Sequence, residues 1–374
     1  MADWLLIGPR GSRRIAWLQR ALRDQGAPAA HVFDYETLLA EPARLPEALA
    51  QLPGAIVKLE SPGEAPALHQ ALVRRGWELS GAAGDAPQPA AHGELAHQQF
   101  WYAGFADVLA SLPAGPRYLN APADLACMSD KLRCQQHLAA AGVAVPPLFG
   151  VISSYEELRE RLRDVGCERV FIKARYGSSG AGVLAYARNR DGREVAYGSA
   201  ELAEQDGRWR VFNSLRQRRY DRHDDITRLV DLLAMQGAYI ERWIPKPTVP
   251  GSDGRRYDVR MVTLDGQPRQ RVARMSAGAL TNLHLGNART GLDFLLDAEA
   301  IEHLESATAT AAAAFPNSRM IGFDLIVRGT RSWVLEANGF GDLLLDLRHA
   351  GRTTYEDQAL LAPVQPAINE YAHA

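Results

Sequence analysis

Apolar positions in the first 118 residues come in two alternating rhythms. The run in "DWLLIG" is followed, after the turn "PRGSRR", by "IAWLQRALRDQG", where Ile15, Leu18 and Leu22 recur at helical spacing and Gly26 offers a C-terminal stop. "GAIVKLESPGEAP" and then "ALHQALVRRG" repeat the theme of strand, glycine-bearing loop and helix. Strands alternating with helices predict a parallel α/β sheet over residues 1–118. Open sheets of this kind take ligands at the loops after their strands. Substrate is therefore expected near Arg10, Arg13 and Ser61. Residues 81–92 read as a surface loop.

From residue 119 the rhythm changes. Ser129 is placed to cap a helix that carries Lys131 in its first turn and stops at Gly142. "SSYEELRERLRDVG" predicts a second helix with a capping box from Ser154 to Glu157 and an apolar stripe of Leu158, Leu162 and Val165. Strand-like "RVFIKA", "GVLAYA", "EVAYGS" and "RWRVFN" follow, with "RDG" and "QDG" as turns. A helix over 224–236 buries Ile226, Leu229, Val230 and Leu233. The strand "AYIERWI" and the loop "PKPTVPGSDG" lead into "RRYDVRMVTLDG", "QRVARMSAGALTNLHLGNAR", an alanine-rich helix ending near Phe315, and the pair "MIGFDLIVRG" and "SWVLEANG". Residues 342–374 read as mostly helical.

The chain has 374 residues, with 42 basic and 44 acidic side chains and a net charge of -2. That balance gives no reason to expect nucleic acid as a partner. The three cysteines show no CxxC spacing, which argues against a zinc site or a disulfide framework and suits a reducing compartment. No signal peptide and no apolar run of membrane-spanning length are found, so a soluble cytoplasmic protein is expected.

The chemistry concentrates in a few stretches. "FIKARYGSSGAGV" ends a buried strand on Lys173 and continues through Gly177, Ser178, Ser179, Gly180 and Gly182. Such loops bring backbone N–H groups close to an anion, although a hairpin turn with a solvated lysine reads equally well from this stretch alone. Neither a Walker A nor a Rossmann fingerprint is present, and HExxH and GxSxG are missing too. Period-two alternation places Asp258 and Arg260 on one strand face. It sets Asp324 opposite to Ile321, Phe323, Leu325 and Val327, and puts Glu336 and Asn338 on the face away from Trp333, Leu335 and Ala337. A three-residue loop of Gly329, Thr330 and Arg331 would bring Asp324 opposite Glu336. Carboxylates in such strands suit Mg²⁺, or are simply exposed or salt-bridged.

Six stretches, "SDKL…GVAVP", "FIKARYGSSGAGV", "YIERWIP", "YDVRMV", "RMSAGALTNLHLGNAR" and "GFDLI…VLEANG", stand in an order that resembles the ATP-grasp superfamily, in particular its RimK-like and glutathione-synthetase-like carboxylate–amine ligases. The resemblance spans about residues 119–345. It implies an α/β fold, α+β in its catalytic part, with an N-terminal domain (1–118), a small subdomain (119–241), a C-terminal metal-binding subdomain (242–350) and a helical tail (351–374). It implies ATP and Mg²⁺ as cofactors, an acyl-phosphate route, small-molecule or peptide substrates, and room for a homodimer. By the same resemblance Lys131 and Lys173 hold phosphates beneath the loop of Gly177–Gly182. Glu241, Arg242, Trp243 and Ile244 form the adenine hinge. Arg260, Arg274 and Asn282 face the transferring phosphoryl group, and Asp324, Glu336 and Asn338 bind the metal. His284 is read as a packed core histidine. The chain departs from the family at "PKPT", where a ribose-binding glutamate is usual, and in a long insertion over 187–223. Its "RWRVFNSLRQRRYDR" reads as a solvated strand face or, alternatively, as a surface for RNA or an acidic peptide. A small-molecule kinase and a non-catalytic nucleotide-binding protein are the rival uses of such a chain.

Overall fold

The computed structural model describes residues 2–63, 65–177, 180–281, 287–340, 344 and 346–362. Three sheets organise them. The first is parallel throughout, in the order β2-β1-β3-β4, with β1 Trp4–Gly8, β2 His31–Asp34, β3 Ile56–Leu59 and β4 Arg117–Tyr118. Its helices are α1 Arg13–Asp24, α2 Tyr35–Ala40, α3 Arg44–Ala50, α4 Pro66–Ser80 and α5 Gln98–Ala110. Leu18 and Leu22 of α1 are fully buried in one cluster with Trp4 and Leu6. α4 does not stop at Gly76. It runs on to Ser80, and Gly81, in the left-handed region, ends it. Gly76 serves packing instead: a Cβ there would stand 1.9 Å from the carbonyl oxygen of Phe100, so the two helices cross at backbone contact.

The second sheet is antiparallel, in the order β5-β10-β6-β7-β8-β9. Its strands are β5 Leu148–Val151, β6 Arg169–Lys173, β7 Val183–Arg188, β8 Glu194–Gln205, β9 Arg208–Tyr220 and β10 Tyr239–Arg242. Before it come α6 Pro122–Ser129 and α7 Lys131–Ala140; α8 Tyr155–Asp164 and α9 His223–Ala234 pack on it. Most of the insertion is the long β8–β9 hairpin, turned at Asp206 and Gly207. Two details of α8 differ from expectation. Ser154 caps the N–H of Glu157, but the Glu157 carboxylate accepts from Ser153, so no reciprocal box forms. Val165 lies past the last helical turn and is exposed, outside the stripe of Leu158 and Leu162.

The third sheet is antiparallel, in the order β13-β12-β11-β14-β15, with β11 Arg256–Leu264, β12 Gln267–Ser276, β13 Ala288–Thr290, β14 Met320–Arg328 and β15 Arg331–Asn338. The helix α10 Ala298–Ala313 covers it. The β14–β15 turn contains two residues, Gly329 and Thr330, because Arg328 pairs with Arg331. A two-residue turn alone would oppose Asp324 to Leu335. A bulge restores the expected pairing: the register shifts between Leu325↔Val334 and Asp324↔Glu336, leaving Leu335 over. The bulge also revises the faces. Val334 and Ala337 are buried, while Trp333 and Leu335 are not. Gln135 of α7 donates to the carbonyls of Val334 and Leu335 at 3.2 and 2.5 Å, satisfying backbone that the bulge leaves out of the ladder. At the end, α11 Thr354–Ala359 is the one helix among the described residues beyond 342; residues 363–374 lie outside them.

Candidate active site

The register of the third sheet lines up charged side chains across four strands. Asp258 on β11 lies opposite Arg274 on β12, Arg260 on β11 opposite Asp324 on β14, and Asp324 opposite Glu336 on β15. The side chains join across the strands. Arg274 Nε donates to Asp258 at 2.8 Å, and its Nη2 lies 3.1 Å from Asp324. The Arg260 guanidinium forks onto both oxygens of Asp324, with Nη2 at 3.2 Å. Asp258 and Arg274 are both buried. Burial alone would raise the Asp258 carboxyl, yet Arg274 and Lys246 hold it well below the usual carboxylate range.

Lys246 was not foreseen. It sits in the proline-rich loop after β10, where a lysine has no periodic neighbours to mark it. The chain turns its ammonium inward, 3.0 Å from Asp258 and 2.6 Å from Thr281 Oγ1. Thr281 in turn donates to Asp258. Burial pulls the Lys246 ammonium below its ordinary pKa, against Asp258.

The other wall comes from α7 and β6. Asp130, not Ser129, is the N-cap of α7; Ser129 is the last residue of α6. Asp130 accepts from the N–H of Arg133 and takes the Arg175 fork at 2.7 and 2.7 Å. That cap fixes Lys131, whose Nζ donates to the Gly177 carbonyl at 2.6 Å and to Glu336 at 2.9 Å. The root of the glycine loop is thereby tied to β15, and Tyr176 stacks on Tyr102 of α5 beside it. Gly177, Gly180 and Gly182 all take positive φ. At Gly182 a Cβ would lie 2.7 Å from that of Ala174, so only glycine makes this turn without displacement.

Lys173 ends β6 and pairs at 2.6 Å with Glu241, whose side chain is 1% exposed. Burial raises the Glu241 carboxyl despite Lys173. The Arg242 N–H donates to Pro147 O at 2.8 Å and the Trp243 N–H to Arg169 O at 3.1 Å, so both serve the sheet. Trp243 leans on Phe171, and Ile244 is buried beside it.

Asp324, Glu336 and Asn338 are two carboxylates and an amide on neighbouring strands, hard oxygen donors that suit Mg²⁺. Directly opposed residues on such strands have Cβ atoms about 4.5–5.5 Å apart. Asn338 lies opposite Gly322 and donates to its carbonyl at 3.2 Å. Among the described residues no three His, Cys, Asp or Glu side chains cluster closely enough to hold a metal by themselves. Two carboxylates and an amide would leave several positions of a hard divalent cation to other oxygen ligands. Burial would raise the Glu336 carboxyl, but Lys131, with Arg260 and Lys173, keeps it below the ordinary range and ionised.

Ser178, Ser179, Asn282 and His284 lie outside the described residues. At the first sheet Arg10 pairs with Asp34 at 3.2 Å, Arg13 lies over the Trp17 ring, and Ser61 Oγ accepts from the N–H of Gly63. The cysteines Cys127, Cys134 and Cys167 are free thiols, and among the described residues no helix is long and apolar enough to cross a membrane.

No family model and no curated protein sequence matches the chain. Solved structures do. D-cycloserine synthetase DcsG is 17% identical, with 96% of this chain and 98% of its own covered and a TM-score of 0.55. The ATP-grasp ligase PsnB, complexed with minimal precursor, is 14% identical over 96% of this chain and 97% of its own, with a TM-score of 0.50. Biotin carboxylase from Campylobacter jejuni, in its β-γ-ATP complex, is 15% identical over 92% of this chain and 66% of its own, with a TM-score of 0.51. At such identities the likeness speaks for architecture, and the architecture agrees with the order of the sequence stretches: the chain has the ATP-grasp fold.

Proposed function

We propose that the chain is an ATP- and Mg²⁺-dependent ligase of the RimK-like and glutathione-synthetase-like kind, joining a carboxylate to an amine on an amino acid, peptide or small metabolite. The observation that carries this reading is the pairing pattern of the cluster. Five cations (Lys131, Lys173, Lys246, Arg260, Arg274) interlock with four carboxylates (Asp258, Asp324, Glu241, Glu336) where the glycine loop meets the ends of β14 and β15. A polyphosphate with its cation offers each half of those pairs a new partner, so the cluster can open without leaving a buried charge alone.

In this reading a substrate carboxylate takes the γ-phosphoryl group of ATP, and an amine displaces phosphate from the resulting acyl phosphate. Lys131 and Lys173 hold phosphate oxygens as compact charges, and Gly177, Gly180 and Gly182, with Ser178 and Ser179, let backbone N–H groups close over them. Arg260, Arg274 and Asn282 offset the charge that develops on the transferring group. Asp258 and Thr281 keep Arg274 and Lys246 aimed inward. The N–H groups of Arg242 and Trp243 are committed to the sheet, which leaves the N–H of Ile244 as the hinge donor for adenine, with Trp243 as the apolar wall. Asp324, Glu336 and Asn338 would hold Mg²⁺, which when bound supplies Lewis-acid neutralisation of phosphate charge. In this reading the chain divides into an N-terminal domain over 1–118, a small subdomain over 119–241, a metal-binding subdomain over 242–350 and a tail over 351–374, with substrate entering past Arg10, Arg13 and Ser61.

A screen of carboxylates and amines, with ADP and phosphate both measured, tests the reading. A matched pair should release ADP and phosphate in equal amounts, and Asp324→Asn should abolish both. ADP without free phosphate would make the protein a kinase. ATP turnover unaffected by Asp324→Asn would remove the assigned centre.

A further inference from the structure

β7 starts at the glycine loop with Val183 and ends about 17 Å away, at roughly 3.3 Å per residue, with Arg188. At that far end lies a cavity of about 340 Å³ between the start of α8, the β7–β8 turn and the start of α9. Tyr155, Arg159, Arg188, Arg193, Glu194 and His223 line it.

The acceptors around this cavity are partly taken. Glu194 is 8% exposed and receives the hydroxyls of Tyr155 and Tyr186, the latter at 2.7 Å, and faces His223 Nδ1 at 3.3 Å. Asp221, at the rim, is engaged by Arg219 at 2.5 Å. The donors are only partly engaged. Arg159 uses Nη1 on Tyr186 and Glu168, but its Nε stands 3.9 Å from Glu194, beyond hydrogen-bond reach. Arg188 Nε is 3.7 Å from Glu194, and Arg193 is 3.7 Å from Asp191. Among the described residues neither the Arg188 nor the Arg193 guanidinium makes a hydrogen bond, and each has one long ion pair at 3.7 Å. Three guanidinium groups thus border one cavity that holds two carboxylates, Glu194 and Asp221. Among the described residues Glu194 Oε2 faces only His223 Nδ1, and Arg219 engages only Oδ2 of Asp221, so two carboxylates stand against three guanidinium groups and the balance is cationic. An oxyanion would meet the guanidinium forks of Arg188 and Arg193 and the remaining donors of Arg159, groups suited to phosphate oxygens.

We infer that this cavity is a second ligand site, separate from the ATP-grasp centre, for a small phosphate-bearing anion of two or more charges, held by Arg159, Arg188 and Arg193. Inorganic pyrophosphate is the probe, titrated calorimetrically into the wild-type chain, Lys173→Met, and Arg188→Gln/Arg193→Gln. One binding event should persist in Lys173→Met and weaken at least tenfold in the arginine variant, whose melting temperature should match the wild type without the probe. Arg193→Gln alone, a change at an 84% exposed side chain, should weaken the same event and serves if the double variant does not fold. No pyrophosphate binding by the wild-type chain, binding that disappears in Lys173→Met under conditions where that variant is folded, or binding that ignores both arginine variants overturns the assignment.

Discussion

Replacing Lys173 by methionine would leave Glu241 buried with the Tyr239 hydroxyl, 3.5 Å away, as its remaining side-chain partner among the described residues. Burial already raises the Glu241 pKa, with the Lys173 ammonium acting against it. Removing the ammonium raises it further. A folded-state pKa above the unfolded value of about 4.3 means the native chain keeps a proton that the unfolded chain has lost. Stability therefore falls as pH rises from the unfolded to the folded value, by up to about 1.4 kcal/mol per pH unit. Breaking a buried pair by removing one partner typically costs about 3–5 kcal/mol, expressed here where the carboxyl is ionised in the unfolded chain. Urea unfolding followed by tryptophan fluorescence should show Lys173→Met close to wild type at pH 5 and about 4 kcal/mol less stable at pH 8. Lys173→Met/Glu241→Gln should recover most of that loss, because no buried charge is then left alone, yet should not recover ATP binding. A loss independent of pH, or a double variant no more stable than the single one, would refute the reasoning.

Asp258→Asn leaves Arg274 and Lys246 without their shared counter-charge and should cost about 3–5 kcal/mol at pH 7. Because the folded pKa of Asp258 lies below the unfolded value of about 3.9, this stabilisation is present above pH 4 and lost as pH falls through the folded value; the gap between variant and wild type in acid-unfolding curves should narrow only in strong acid. Gly76→Ala gains helix propensity of about 1 kcal/mol, but its Cβ would collide with the Phe100 carbonyl. The overpacking should win, with a net loss of about 1–3 kcal/mol in urea unfolding. Trp333→Ser, at a half-buried position beside the bulge, should cost under about 1.5 kcal/mol, whereas Val334→Ser, which is 1% exposed, should cost well over twice that in the same assay.

Much of the third sheet was legible because period-two alternation is local. It separated Asp258 and Arg260 from Tyr257, Val259 and Met261, and the structure buries that second set. The β14–β15 pairing shows where local reading ends. The Asp324–Glu336 opposition holds, but through a two-residue turn compensated by a bulge at Leu335, and a bulge supported by Gln135 from a distant helix has no local mark. Lys246 was hidden for the same reason, since its partners Asp258 and Thr281 are brought to it by two other elements. β2 has only four residues, too few for a period. α5 interposes buried and half-buried residues on most of its faces, against α4 and α6, so no polar stripe announces a helix. The loop glycines were readable because positive φ is a property of one residue.

Calorimetric titration of ATP into the wild-type chain and into Glu336→Gln, each with and without Mg²⁺, tests the assigned centre most directly. The wild-type chain should bind one ATP, at least tenfold more tightly with Mg²⁺ than without it. In Glu336→Gln that Mg²⁺ dependence should fall away, while Lys131, freed from its carboxylate partner, continues to hold phosphate. Absence of ATP binding by the wild-type chain, or a Mg²⁺ dependence unchanged in Glu336→Gln, would contradict the assignment.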